Sequence, residues 1–392
     1  MNQAVIVDAI RTPMGRAKAG AALADVHPAE LLGQLLAGLV ERNKLDPGTV
    51  DDVICGCVSQ VGEQSATPGR VAWLAAGLPE HVPSTTIDRK CGSSQQAVHF
   101  AAQGIMAGAY DIVIACGVES MSRVPMGSAR IGKDPYGPAL ARRYAPGLIS
   151  QGAAADLVAA RWNIGREALD RYAMHSHQRA DRARASGAFD REIWPVRTPH
   201  GVVAQDETIR AATTMEGLAA LQPVFGSDEL SARFPEVGWH TTAGNSSQMT
   251  DGAAALLLMS ERTAESLGLR PRARFVAFDV RGDSPIEMLT APIPSSRRAL
   301  EKAGLSIGDM DHCEINEAFA SVPLAWQQAL GPDLERLNPR GGAIALGHPL
   351  GASGARLMTT MLHALEDNGG RYGLQSMCEA GGMANATIIE RI

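Results

Sequence analysis

Asp88-Arg89-Lys90-Cys91-Gly92-Ser93-Ser94 joins two opposed local patterns. The run before it, Ser84-Thr85-Thr86-Ile87, is mostly β-branched. After it, Ala97, Val98, Phe100, Ala101, Ile105 and Met106 recur at helical spacing. Cys91 is thus expected where a strand ends and a helix begins. There the free N–H groups and the helix dipole favour negative charge and lower a thiol's pKa. Gly92, Ser93 and Ser94 are small enough for a substrate to come close to the sulfur. A free cysteine is also commonly a buried hydrophobe, so this stretch alone allows either a nucleophile or a structural thiol.

Outward from this turn, strand and helix patterns alternate over the first 120 residues. Ala4–Ala9, Asp52–Val58 and Ile112–Gly117 read as strands, and Pro28–Lys44 and Pro68–Ala76 as helices. Such alternation predicts a mainly parallel sheet covered by helices on both faces. After Ser122 the pattern breaks. Residues 123–150 are rich in Gly, Pro and Arg, and helices are expected at Ala153–Arg161 and Arg166–Ala185. The stretch to Ser247 is irregular, so 123–247 reads as an insertion, and the apolar run Ala253–Met259 completes the first sheet.

From Arg272 the order repeats. Arg274–Phe278 matches the opening strand, Ser295–Ala303 the first helix, and Asp309–Ile315 the strand at Asp51–Cys55. Gly351-Ala352-Ser353-Gly354 opens a helix as Cys91–Ser94 does, and Gln375–Cys378 parallels the strand ending at Cys116. This is an internal duplication, which would bring loops of both halves together. The expected division is 1–122, an inserted 123–247, a completing 248–271, and a second half at 272–392.

A chain of 392 residues suits two or three domains, and 20% charged with 45% hydrophobic residues is an ordinary globular balance. The net charge of −6 and the lack of a basic run argue against nucleic acid. Apolar runs break well before the length of a membrane span, and the N-terminus enters a strand pattern without a signal peptide's regions. A cytoplasmic protein with its six cysteines reduced is therefore expected. Cys55-Gly56-Cys57 lacks a second pair of matching spacing, so strand alternation explains it better than a metal, and no metal is expected.

Three loops of the second half carry reactive groups. Asn316, in Asn316-Glu317-Ala318-Phe319, could fix a water or a substrate oxygen, or simply cap a helix. His348, in Gly347-His348-Pro349-Leu350-Gly351, could deprotonate a thiol and later donate to an oxyanion, or be a turn histidine bonded to carbonyls. The Gly-rich loop lacks the Gly-Lys-Ser/Thr of a nucleotide cradle. Cys378 enters the turn Glu379-Ala380-Gly381-Gly382, which could aim an N–H at an oxyanion, while the thiol serves as acid and base. One Cys and one His suggest a hydrolase; two Cys with His and Asn in a duplicated frame suggest acyl transfer with a proton-transfer step.

With these residues in hand the chain resembles the thiolase family. The matching motifs are Cys91-Gly92-Ser93, Gly117-Val118-Glu119-Ser120-Met121-Ser122, Thr242-Ala243-Gly244-Asn245-Ser246-Ser247, Asn316–Phe319, Gly347–Gly351, and Cys378 with Gly381-Gly382. They run in the family's order over nearly the whole chain. The resemblance implies an α/β fold of two similar βαβ-type halves, layered α-β-α-β-α, with an inserted loop domain. It implies that Cys91 carries the acyl group, His348 activates it, Cys378 exchanges the proton, and Asn316 holds a water at an enolate oxygen. Backbone N–H groups of Cys91 and Ala380 would form a second oxyanion hole, and Ser247 would touch pantetheine. Coenzyme A is then a substrate, and no tightly bound cofactor is expected.

Three positions depart from the family pattern. Ala380 replaces a glycine, where φ > 0 would be costly; Glu379 puts a carboxylate beside Cys378; Ser94 stands where glycine is common. Ser150–Asp156 resembles the degradative branch, and the His-Met-Gly motif of acetoacetyl enzymes is missing. The resemblance thus implies thiolysis of longer or bulkier 3-ketoacyl-CoAs, of fatty acid or sterol side-chain origin. The alternatives are acetoacetyl-CoA formation and, in a different class, non-catalytic acyl-CoA or lipid binding. A homodimer or homotetramer, and a β-oxidation partner subunit, fit the family.

Overall fold

The structure, a computed structural model, describes residues 3–392. The first half comprises strands β1 (Ala4–Arg11), β2 (Gly15–Arg16), β3 (Asp52–Gly56), β4 (Ser84–Ile87) and β5 (Ile112–Ser120), with helices α1 (Pro28–Arg42), α2 (Pro68–Ala75) and α3 (Ser93–Met106). Then come α4 (Gly137–Arg143), α5 (Gln151–Arg161), α6 (Arg166–Ala185), the ribbon β6 (Val196–Thr198) and β7 (Gly201–Val203), α7 (Met215–Ala219) and α8 (Asp228–Arg233). Strand β8 (Thr250–Ser260) and helix α9 (Glu261–Ser266) lead to β9 (Ala273–Gly282), α10 (Pro292–Ala303) and β10 (His312–Ile315). The chain ends with α11 (Ser321–Leu330), α12 (Ala343–Leu346), α13 (Ser353–Asn368), β11 (Tyr372–Glu379) and β12 (Met383–Arg391).

Strand order carries the duplication. From its first strand outward, one half reads β1-β8-β5-β3 and the other β9-β12-β11-β10. In each, the first two pairings are antiparallel and the third is parallel. β4 extends the first half in parallel; at the matching edge of the second, Leu337 makes only a parallel bridge to Cys313. The halves join where β1 meets β9 over Val5↔Arg274 and Ile6↔Ala273. The sheet is therefore mixed rather than mainly parallel. The last strand of each half, β8 or β12, returns between the first strand and β5 or β11, so it must run against both. β12 was not evident from the sequence, because it follows β11 across a three-residue turn without a helix between them.

Three apolar layers stack on this frame. Helix α1 starts at Pro28 after the cap His27, whose side chain accepts from Ala29 N–H, and buries Leu31, Leu32, Leu35, Leu36 and Leu39 fully. Each leucine contributes about 1.5–3 kcal/mol of burial free energy. Strand β8 is buried throughout, with Ala255, Leu257 and Met259 facing α1 and Ala254, Leu256 and Leu258 facing α3 and α13. Helices α10 and α11 cover the second half, joined by α5 from the segment between β5 and β8. The layers are thus α-β-α-β-α, with α3 and α13 in the middle.

Within α3 the buried apolar positions are Ala97, Val98, Ala101, Ala102 and Ile105. Phe100, which the helical spacing placed with them, lies about 130° from the centre of that arc and is 45% exposed. The starts of α3 and α13 touch at main-chain distance. A Cβ on Gly354 would lie 2.3 Å from Gln95 N, and one on Gly117 2.3 Å from Gly351 O. Ser94, the family's usual glycine, instead accepts from Ala355 N–H at 2.9 Å and ties the two helices.

His363 in α13 packs away from the cavities, with its Nε2 3.1 Å from Ala9 O. Burial, then Arg272, pushes its pKa down to about 3. The unfolded chain takes up this proton as pH falls through the ordinary histidine value, and the fold does not, so stability is lost on acidification. In denaturant titrations, the stability difference between about pH 7.5 and about pH 5.5 should shrink by about 1.4 kcal/mol in His363→Gln. An unchanged difference would contradict a neutral His363.

Candidate active site

Cys91 sits in a strained turn. Lys90 before it has φ +50°, left-handed for a non-glycine residue. The turn is held by Asp88 Oδ1, which accepts from Lys90 N–H at 2.7 Å, and by Ser93 Oγ, which accepts from Arg89 N–H at 2.9 Å. Gly92 is the N-cap of α3, which leaves Cys91 just outside the helix and 4% exposed. The thiol's pKa is not lowered as the helix start alone suggested. Burial, then the nearby Glu379, pushes it up to about 12, while the N–H groups of Cys91 and Ala380 pull the other way. The resting thiol is therefore neutral.

His348 is delivered by the loop between α12 and α13. Gly347, at φ +88°, precedes it, and a Cβ there would meet Thr250 Oγ1 at 2.2 Å. The His348 N–H lies 3.0 Å from both Gln248 O and Thr250 Oγ1. Its Nδ1 is 2.6 Å from Ser353 Oγ, and that hydroxyl donates to Pro349 O at 2.9 Å. The hydroxyl proton being spent, Ser353 accepts Nδ1–H, which leaves Nε2 with its lone pair. Burial, then Arg356, pushes the imidazole pKa down to about 3. His348 is thus a neutral base with a fixed tautomer rather than a histidine bonded to turn carbonyls.

Asn316 is not a helix cap, since α11 begins at Ser321 with Ala320 as its cap. Its Nδ2 lies 3.4 Å from His348 Nε2, and its buried Oδ1 has no partner among the described residues. Cys378 is fully buried near the end of β11; burial, then Cys91, then Glu379 drive its pKa well up. Ala380 stays outside the left-handed region, which is taken by Gly381 at +94° and Gly382 at +78°. The alanine therefore fits the turn without the strain expected for it.

These groups meet at a cavity of about 310 Å³. Cys91 and His348 stand in its wall with Ser247, and Met121, Phe225, Met249 and Phe319 make much of it apolar. Cys378 and Asn316 are not in the wall. Cys378 stands within electrostatic reach of Cys91, and Asn316 beside the imidazole. A second cavity of about 240 Å³, lined by His177, Arg210, Gly244 and Leu218, shares Ser246 and Gln248 with the first.

Several supporting residues escaped the sequence reading. Ser353 sets the tautomer, and Gln248 Nε2 holds the histidine loop through Ile344 O at 2.8 Å. Glu119 accepts from Val58, Ser59 and Gly351 N–H and from Gln64, so it locks the Gly351 turn to the first half. Glu317 accepts from Tyr172, Ser176, Asn338 and Ile344 N–H, which ties α6 to α12. The available signal was a carboxylate inside each otherwise buried motif, since such a group requires several donors.

Comparison with known proteins identifies the family. The model of the thiolase N-terminal domain matches residues 4–262, and that of the thiolase C-terminal domain matches 269–391. The chain belongs to the thiolase family. It is 48% identical over 400 residues to the steroid 3-ketoacyl-CoA thiolase of Mycobacterium tuberculosis, covering 100% of this chain and 95% of that protein. It is 45% identical over 401 residues to the 3-ketoacyl-CoA thiolase of Pseudoalteromonas translucida, covering 100% of both. The crystal structure of the Bacillus anthracis acetyl-CoA acetyltransferase superposes with a TM-score of 0.87 at 36% identity, covering 100% of this chain and 99% of that one.

Proposed function

We propose that this chain is a 3-ketoacyl-CoA thiolase that cleaves its substrate with coenzyme A into acetyl-CoA and a shortened acyl-CoA. The observation that carries the reading is one apolar cavity with a neutral thiol and a neutral imidazole in its wall, and a second thiol behind the first. Cys91 Sγ attacks the β-keto carbon and its proton passes to His348 Nε2. Because the thiol starts neutral, the proton moves as the C–S bond forms. N–H groups of Cys91 and Ala380, which face the sulfur, stabilise the oxyanion. The bond between the α and β carbons then breaks, leaving an enolate that takes a proton from Cys378. His348 and a water on Asn316 Oδ1 stabilise the enolate oxygen. Cys378 thiolate next deprotonates the incoming coenzyme A, whose sulfur displaces Cys91, and Cys91 recovers its proton from His348.

Coenzyme A binds as a substrate, with Ser247 against pantetheine and Arg210 in the adjoining cavity available to its phosphates. No tightly bound cofactor is needed. Residues 123–247 act as an inserted substrate-binding unit, with 248–271 completing the first half. Among the described residues no helix is long and apolar enough to cross a membrane. A cytoplasmic homodimer or homotetramer fits this reading. The two relatives compared above that are more than 40% identical carry 3-ketoacyl-CoA thiolase names, and one of them is a steroid enzyme. They favour long or sterol-derived acyl chains over acetoacetyl-CoA formation, the activity that the 36% identical relative's name suggests.

The test is thiolysis of short, long and sterol-side-chain 3-ketoacyl-CoAs, with products identified by mass. Acetyl-CoA with a shortened long or bulky acyl-CoA is the expected result. A clear preference for acetoacetyl-CoA would reassign the substrate. Binding of every substrate without turnover would make the chain an acyl-CoA-binding protein.

A further inference from the structure

Glu379 is fully buried after Cys378, and neither carboxyl oxygen has a hydrogen-bond partner among the described residues. The carboxyl lies against Gly92, the residue after Cys91: a Cβ there would meet Oε1 at 1.9 Å. One carboxyl thus sits beside both thiols, and its charge opposes a thiolate on either sulfur.

The groups around it are few. Arg89 faces it from the turn before α3, yet the two form no ion pair, and Arg89 Nε is itself buried without a partner among the described residues. From β12 the Asn385 N–H faces it outside hydrogen-bond geometry and favours its charged form. Beyond β12, Arg281 of β9 pairs in register with Ala384 and bonds Asp279 at 3.4 Å. Lys90 is bonded to Asp88 at 2.6 Å, and of the two thiols beside Glu379, Glu119 bears on Cys91 and not on Cys378. Burial outweighs Arg89 and lifts the carboxyl pKa to about 8.

We propose that Glu379 is a positioning residue for charge: as a neutral acid it lets Cys91 and Cys378 become thiolates in turn, and as a carboxylate it opposes both. The proposal rests on reading these cysteines as the reacting thiols. Glu379 itself passes no proton to substrate in any step. Its ionisation therefore sets an alkaline limit on the reaction.

The test compares wild type with Glu379→Gln, which keeps the shape and cannot ionise. Alkylation of Cys91 by iodoacetamide, followed by peptide mass against pH, needs no substrate and so reads the thiol apart from thiolase activity. At about pH 9, alkylation should be roughly tenfold faster in Glu379→Gln, equivalent to one pKa unit. Thiolysis kcat should hold above about pH 8 in the variant and fall in the wild type. If Glu379→Gln fails to fold, Arg89→Gln replaces it: loss of the cation keeps Glu379 neutral longer and moves the wild-type alkaline limb upward. Superimposable pH profiles for Glu379→Gln and wild type overturn the proposal, as does an unmoved limb in Arg89→Gln. A shifted alkylation profile in an enzyme without thiolysis would uphold Glu379's effect on the thiol and discard the reaction.

Discussion

Cys91→Ala is expected to lower thiolysis on the order of 10⁴-fold or more, with acyl-CoA still bound, because the covalent route is lost. The hydroxyls in the cavity wall are those of Ser150, Ser246 and Ser247. Ser246 is engaged, donating to Thr242 O at 2.6 Å, and Ser150 Oγ accepts from Ala153 N–H at 3.2 Å as a helix cap. Cys378 lies behind Cys91 rather than in the wall, placed for proton exchange and not for attack on the β-keto carbon. Cys91→Ala removes a single atom and adds neither bulk nor a polar group, so the variant is expected to fold. Intact-protein mass after mixing with a 3-ketoacyl-CoA should show an acyl adduct in the wild type and none in Cys91→Ala. An adduct that persists would move the nucleophile elsewhere.

His348→Gln should cost about 10²–10⁴-fold in kcat/KM, the usual range for a general base. The glutamine can still hydrogen-bond near Asn316 but cannot take up a proton. The pH dependence is the more specific check. Burial holds His348 near a pKa of about 3, so the base form persists through neutral and mildly acidic pH. Wild-type kcat/KM should therefore show no inflection at the ordinary histidine value. An inflection there that disappears in His348→Gln would mean that the imidazole is solvated in solution.

Local signals were legible in the sequence where they had local causes. The strand-to-helix turn at Cys91 and the helix Arg166–Ala185 follow from spacing and small residues, and the repeat order survives in the strands. Strand direction was not legible, because it depends on where β8 and β12 insert between strands far away in sequence. The thiol's pKa was misread for the same reason. A helix N-terminus is a local feature, whereas burial and Glu379 arrive from the other half of the chain. Ala380 was misjudged because Gly381 and Gly382 alone take the left-handed turn. The supporting bonds of Glu119 and Glu317 reach across 21 to 232 residues, a distance that no motif window spans.

The two matching strand orders, joined at just two residue pairs, make this chain the covalent equivalent of a symmetric pair. A pair of separate identical subunits would have to carry the same residue at both equivalent positions. Tethering removes that requirement, and in the reaction proposed above the halves take different roles: one presents the attacking sulfur, the other His348, Asn316 and Cys378. Each half on its own would hold an incomplete set. Fragments cut between residues 262 and 269 should therefore be inactive apart and recover activity only when mixed, with the crossing of α3 and α13 as their meeting place.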